Sequence, residues 1–326
     1  MRPQWPGFQG PMASEMRVFV DAKRALGRRY VTEEKALRLF DAFLAQRLVG
    51  GATDVTPALV DSFLASRSYR RARSYNMLLG IVQRLFAWLV QQRHLACSPV
   101  RTRPRRQTAR RIPCLLGPAE ARRLLDLAGE LRDQPRAPLR GPTYRAIFAL
   151  LYGLGLRVGE VSRLKCADVD FARQLLIVRD TKFGKTRLVP FGPRIGSLLH
   201  AYLQLRGEKL SPDAPVFSFT RRGAIHPCTI SQTFHRLVPA LDLTIPTGVA
   251  SPHVHDLRHA FAVGTLLRWY REGVDPAARL FHLSTFLGHV NPESTAVYLT
   301  ITPELLAAAS RRFEGFAAPA IEAVSP

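Results

Sequence analysis

Residues 99–113 contain six arginines, three prolines and no acidic residue. Such a stretch has no apolar periodicity to bury, and its prolines forbid a continuous helix, so it reads as an extended basic tether. The chain must then fold as two bodies, one on each side. At 326 residues it is long enough to give each a core.

Charge narrows the partner. Lys and Arg number 47 against 25 Asp and Glu, a formal net charge of +22. Lysine stands only at positions 23, 35, 165, 182, 185 and 209, and the other 41 basic residues are arginine. Arginine suits bidentate phosphate contacts, although codon bias also enriches it. Self-repulsion of this size is tolerated where a polyanion neutralises it, so a nucleic acid is the expected partner, and the basic tether is well placed to lie along a DNA backbone. With 47% hydrophobic residues the chain is not a disordered one. It has no apolar run of about 18 residues and no apolar leader, so a cytoplasmic, DNA-associated protein with no membrane partner is expected. The cysteines, 97, 114, 166 and 228, are too scattered for a disulfide framework or a zinc knuckle.

The first body reads as four helices: Ser14 to Leu26, Glu33 to Leu48, one starting at Thr56-Pro57, and one from Asn76. In the last, Leu78, Ile81, Val82, Leu85, Phe86, Leu89 and Val90 form one apolar stripe. Thr56 followed by Pro57 is a helix start. Arg67, Arg70, Arg71 and Arg73, interleaved with Ser and Tyr, could grip phosphates or simply begin a solvated helix. Arg101, Arg103, Arg105 and Arg106 of the tether are further candidates for the DNA backbone.

The second body mixes types. Leu175–Val178 and Thr186–Pro190 read as a hairpin turned at Gly184, and helices are expected near 118–128, 142–151, 194–206, 228–237, 255–271, 276–287 and 302–313. Its chemistry-bearing residues lie in short motifs. Tyr152-Gly153-Leu154-Gly155-Leu156-Arg157 sets one arginine after a glycine-broken turn, where a glycine permits positive φ. His255-Asp256-Leu257-Arg258-His259 opens a helix, with His255 and Arg258 on one face. Phe286-Leu287-Gly288-His289 ends a helix, and Tyr298 follows nine residues later. Each has an ordinary alternative: a half-buried tyrosine, a hydrogen-bonded structural histidine, an Arg157 paired with Glu160. His253, His255 and His259 also have a metal-like spacing, but no carboxylate or thiol completes a zinc set.

Taken together, GLRVGE, TKFGKTRLVP, HDLRH, LGH and STAVYL in this order resemble the tyrosine recombinase (phage integrase) family, which includes the Xer-type enzymes. The resemblance implies an α-helical core-binding (SAM-like) domain over 14–98, after a disordered 1–13. A linker over 99–113 and an α+β, mainly helical catalytic domain over 114–314 would follow, then a flexible tail over 315–326. It makes Arg157 and Arg258 the arginine pair, Lys182 the hairpin lysine, Lys185 a phosphate contact, and Tyr298 the nucleophile, with His255 and His289 beside it.

The chemistry fits. Attack on a phosphodiester needs a nucleophile, cations for the non-bridging oxygens and a proton for the leaving oxygen. Two arginines can clamp the phosphate, His255 can accept the tyrosine proton, His289 can hydrogen-bond the phosphate, and a hairpin lysine can protonate the 5′ oxygen. A 3′-phosphotyrosyl link conserves the bond energy, so neither ATP nor a metal or other cofactor is expected. The family pattern further implies a homotetramer, or a mixed tetramer with related recombinases, on two DNA sites, and a mobile-element setting. A type IB topoisomerase or a non-catalytic DNA-binding accessory protein are the alternatives. The segment between Arg258 and His289 exceeds that of compact Xer-like members.

Overall fold

Helical periodicity sorts the first hundred residues as expected, and the computed structural model describes residues 7–47, 49–67, 72–106, 112–179, 184–207, 210–219, 223–289, 291–300, 305–307, 309–311 and 314. Two compact units divide the chain, Met1–Arg110 and Arg111–Pro326. Among the described residues no helix is long and apolar enough to cross a membrane.

The first unit holds α1 (Ala13–Ala25), α2 (Val31–Ala45), α3 (Pro57–Ala65) and α4 (Ala72–Gln91). At the start of α3 the Leu59 amide donates to Thr56 Oγ1 at 3.3 Å, with Pro57 in the first turn. The α4 stripe is buried, and Phe86 joins Phe40 and Phe63, whose rings lie 4.8 Å apart. Two features depart from expectation.

The first is at the N-terminus. From residue 7 onward it is an ordered strap and not a disordered stretch. Phe8 and Met12 are buried, and buried Asp41 accepts the amides of Gln9 and Gly10 at 2.9 and 2.7 Å. Two large apolar side chains and a backbone-capping carboxylate outweigh the loop-like Pro/Gly composition.

The second is the basic stretch. Residues 101–106 have no regular secondary structure, yet they are fastened to the first unit. The side chain of Asn76 pairs with Arg105 like a second backbone, its Nδ2 donating to the Arg105 carbonyl at 2.7 Å and its Oδ1 accepting the Arg105 amide at 2.8 Å. Thr102 donates to Asp61, and the Arg105 guanidinium lies 3.7 Å from the Tyr75 ring centroid.

The second unit begins with α5 (Pro118–Gly129), α6 (Arg140–Gly153) and α7 (Val158–Arg163). An antiparallel sheet follows, ordered β1 (Val169–Asp170), β2 (Leu175–Val178) and β3 (Arg187–Pro190). Leu176 pairs with Val189, and both are buried, while Leu188 is exposed, the alternation of a half-covered sheet. Then come α8 (Pro193–Arg206), α9 (Pro227–Leu237), α10 (Asp256–Arg271), α11 (Pro276–Leu287) and α12 (Glu293–Ala296), with a 3-10 turn over Val297–Thr300. The main core gathers around α6, where Phe148 packs against Phe234. A second cluster joins α10 and α11 to Tyr298 and Leu305. The helix expected over 302–313 is described at residues 305–307 and 309–311, which are helical. β1, α7 and α12 have two to six residues, too few for periodicity to reveal.

Candidate active site

Three arginines from three segments converge on the C-terminal end of α11. Arg187 Nε donates to the Phe286 carbonyl at 2.9 Å, Arg258 Nη2 to that of Leu287 at 2.7 Å, and Arg157 Nη2 to that of Gly288 at 2.9 Å. These are carbonyls a helix end leaves without intrahelical partners, at the negative pole of its dipole. Gly288 closes α11 at φ 66°, and a Cβ there would lie 2.8 Å from Arg187 Nη1. Close approach and handedness therefore both require glycine.

Arg258 is 1% exposed, and its Nη1 donates to the Gly155 carbonyl at 2.6 Å. Gly155 has φ 58°, and a Cβ would meet Phe261 at 2.6 Å, so the glycine-broken turn serves as a seat for this arginine. Burial, then the charge of Arg157, lowers Arg258 to about 9, which leaves it cationic at neutral pH.

One buried carboxylate organises the cations. Glu160 receives Arg187 through two parallel bonds of 2.8 and 2.9 Å, Arg157 Nη1 at 2.7 Å and the Arg157 amide at 2.9 Å. Burial raises its pKa, but Arg187 and then Arg157 overcome this and hold the carboxyl at about 2. Arg157 thus has the ordinary carboxylate partner its spacing allows, and still keeps a side chain 29% exposed.

Tyr298 is 3% exposed, and its pKa is raised by burial against the opposing charges of Arg258 and Arg157. The His259 Nδ1 lies 2.9 Å from the Tyr298 hydroxyl. His255 sits behind, its ring edge-on to His259 at 4.7 Å. On the other side His289 lies nearly parallel to the Tyr298 ring at 6.3 Å, its Nδ1 2.6 Å from Thr295 Oγ1. Burial, then Arg258 and Arg157, lowers both His255 and His289 to about 4. Both imidazoles are neutral near pH 7.

The fold therefore brings Arg157, His255, Arg258, His289 and Tyr298 into one neighbourhood. Lys182 lies outside the described residues, and Lys185 is exposed beside the hairpin. Of the first unit's candidates, Arg70 and Arg71 lie outside the described residues. Arg73, Arg101, Arg103, Arg105 and Arg106 are exposed, and Arg67 is half-buried 5.3 Å from the Phe63 ring. Sequence reasoning gave no role to Arg187, and none beyond a metal-like spacing to His259. The usable signal for His259 was its place four residues after His255, one turn along the same face. Among the described residues no group of three or more His, Cys, Asp and Glu side chains could hold a metal ion.

The phage integrase family model matches residues 117–304. The integrase/recombinase relative y4rB of Sinorhizobium fredii is 35% identical, over 91% of this chain and 95% of its own length. The tyrosine recombinase XerD of Ralstonia nicotianae is 31% identical, over 83% and 82%. Among solved structures, the Tn1549 transposon integrase in complex with transposon right end DNA has a TM-score of 0.63 at 16% identity, covering 93% of this chain and 99% of that one. The lambda integrase dimer bound to a COC′ core site has a TM-score of 0.61 at 19% identity, covering 87% and 76%. These structures share the fold, and the sequence relatives establish the kinship. The chain belongs to the phage integrase family, the tyrosine-type site-specific recombinases.

Proposed function

We propose that this chain cuts and rejoins duplex DNA through a phosphodiester exchange on Tyr298. The phenolic oxygen attacks the scissile phosphorus, a 3′-phosphotyrosyl ester forms, and the 5′ oxygen leaves and gains a proton. Arg157 and Arg258 hold the non-bridging oxygens, and His289 and His255 complete the polar wall with neutral imidazoles. Lys182 serves as donor to the 5′ oxygen, and Lys185 contacts a phosphate. Arg67, Arg70, Arg71, Arg73, Arg101, Arg103, Arg105 and Arg106 lie along the DNA backbone, where they add affinity and no sequence reading. The proteins solved on DNA with this fold support that partner.

One observation carries the reading: a buried tyrosine hydroxyl stands beside an arginine pair already fixed on backbone carbonyls. Cations fixed in place before substrate arrives are preorganised for developing negative charge. A homotetramer, or a mixed tetramer with related recombinases, would act on two sites, and a mobile element is the natural source. The terminal helix bearing Leu305, now buried in its own unit, would then dock on a neighbour.

The test is a pool of nicked duplexes that trap the covalent intermediate. Full-length protein should yield an adduct that survives denaturation and maps by mass spectrometry to position 298. Tyr298→Phe should retain DNA binding and yield none. An adduct on another residue, or none from the unaltered protein, overturns the proposal.

A further inference from the structure

We infer that His259, and not His255, is the base that takes the phenolic proton of Tyr298, an assignment that rests on the strand-exchange reading above. The geometry points to it directly. His259 Nδ1 is 2.9 Å from the Tyr298 hydroxyl, with ring centroids 5.4 Å apart. That is hydrogen-bond reach for proton abstraction without rearrangement. The other imidazoles are differently engaged. His255 meets His259 edge-on at 4.7 Å, and His289 has its Nδ1 on Thr295 Oγ1.

The neighbouring cations favour the transfer. The charges of Arg258 and Arg157 act on the Tyr298 hydroxyl against its burial and favour its ionised form. A hydroxyl so placed gives its proton to the acceptor already within reach, His259 Nδ1. Arg258 and His259 are adjacent on α10, and Arg258 is anchored at both ends by the Gly155 and Leu287 carbonyls. The base thus stands on a helix already pinned at the next residue.

The step balances. The proton moves from Oη to Nδ1, an oxygen lone pair forms the bond to phosphorus, and the bond from phosphorus to the 5′ oxygen breaks. The leaving oxygen keeps that electron pair and takes a proton from the lysine assigned above. In religation the imidazolium of His259 returns its proton to the departing tyrosine.

The test measures adduct formation by full-length protein on nicked duplexes selected from a pool for binding. His259→Asn keeps an acceptor near the Nδ1 position that cannot take a proton, and His259→Gln serves as the second variant. Each should slow adduct formation by about 10²–10⁴-fold, the usual range for a general base. Replacing Tyr298 by a trifluorotyrosine, which ionises more readily, should recover at least tenfold of that loss. A 5′-bridging phosphorothiolate substrate, whose leaving group needs no proton, should recover little. The inference is overturned if both variants react within threefold of the unaltered protein, or faster, as a mere latch on Tyr298 would. It is also overturned if the fluorinated tyrosine leaves the defect unchanged, the result for a packing role. Failure of the unaltered protein to form any adduct would instead remove the reading on which the inference rests.

Discussion

Arg187 and Glu160 meet side-on through two parallel bonds, Nη1 to Oε1 at 2.8 Å and Nη2 to Oε2 at 2.9 Å. Arg187 opens β3, two residues after Lys185 in the chain, and Glu160 stands one turn after Arg157. The pair therefore ties β3 to the first arginine of the site. A planar fork against a planar carboxylate fixes orientation as well as distance, which a lysine in either arginine's place would not do.

Glu160→Gln should destabilise the protein at neutral pH and matter less in acid. The native carboxyl is held at about 2 against an ordinary 4.5, so its contribution is complete above 4.5 and disappears as the pH falls through 2. The shift corresponds to about 3 kcal/mol. Urea unfolding at pH 7 and pH 3 should give a smaller difference between variant and unaltered protein at pH 3. An equal difference at both would contradict the ion-pair account.

Arg258→Lys should cost both stability and chemistry. An ammonium cannot span the Gly155 and Leu287 carbonyls with one rigid fork, so a buried acceptor is left without its donor, at about 1–3 kcal/mol. Adduct formation should fall at least a hundredfold, beyond what the change in melting temperature explains. Denaturant titration beside adduct yield checks both.

His255 and His289 should titrate in the DNA-free protein near pH 4, well below the ordinary 6.5. Because the fold favours their neutral forms, their contribution to stability is present above 6.5 and lost as the pH falls through 4. Bound phosphate adds negative charge, so binding a DNA duplex should move both midpoints upward. Imidazole proton resonances followed against pH give both readings, and free-protein midpoints near 6.5 would contradict the cationic surroundings described here.

Lys182→Ala should stall cleavage with binding nearly intact, and Lys185→Ala should weaken binding. For Lys185→Ala the slope of log affinity against log salt should shrink by about 0.9, one released counterion. If the two variants exchange these behaviours, the lysines have been assigned in the wrong order along the hairpin.

Much of the site was legible because its reactive groups sit in motifs with characteristic neighbours: GLRVGE for Arg157, HDLRH for His255 and Arg258, LGH for His289, and STAVYL for Tyr298. The supporting groups were not. Arg187 looks like an ordinary charged residue in a strand, and only the folded path of α11 makes it an inner ligand of Glu160. His259 was hidden by the attention His255 attracts. Phe8 and Met12 were masked by surrounding Pro and Gly, because a strap without periodicity carries no signal until Asp41 is seen to hold it. Asn76, on the exposed flank of an amphipathic helix, gives no hint in sequence that it grips Arg105.

The acceptors at the end of α11 are main-chain oxygens of Phe286, Leu287 and Gly288. No side-chain replacement can delete a peptide oxygen, so substitutions at 286–288 report on packing at Phe286 and Leu287 and on handedness at Gly288, and leave unprobed the main-chain foundation that seats all three guanidinium groups. Its sensitivity would surface instead under single-residue insertions or deletions at 286–288, which shift every oxygen by one place and leave each arginine facing the wrong one.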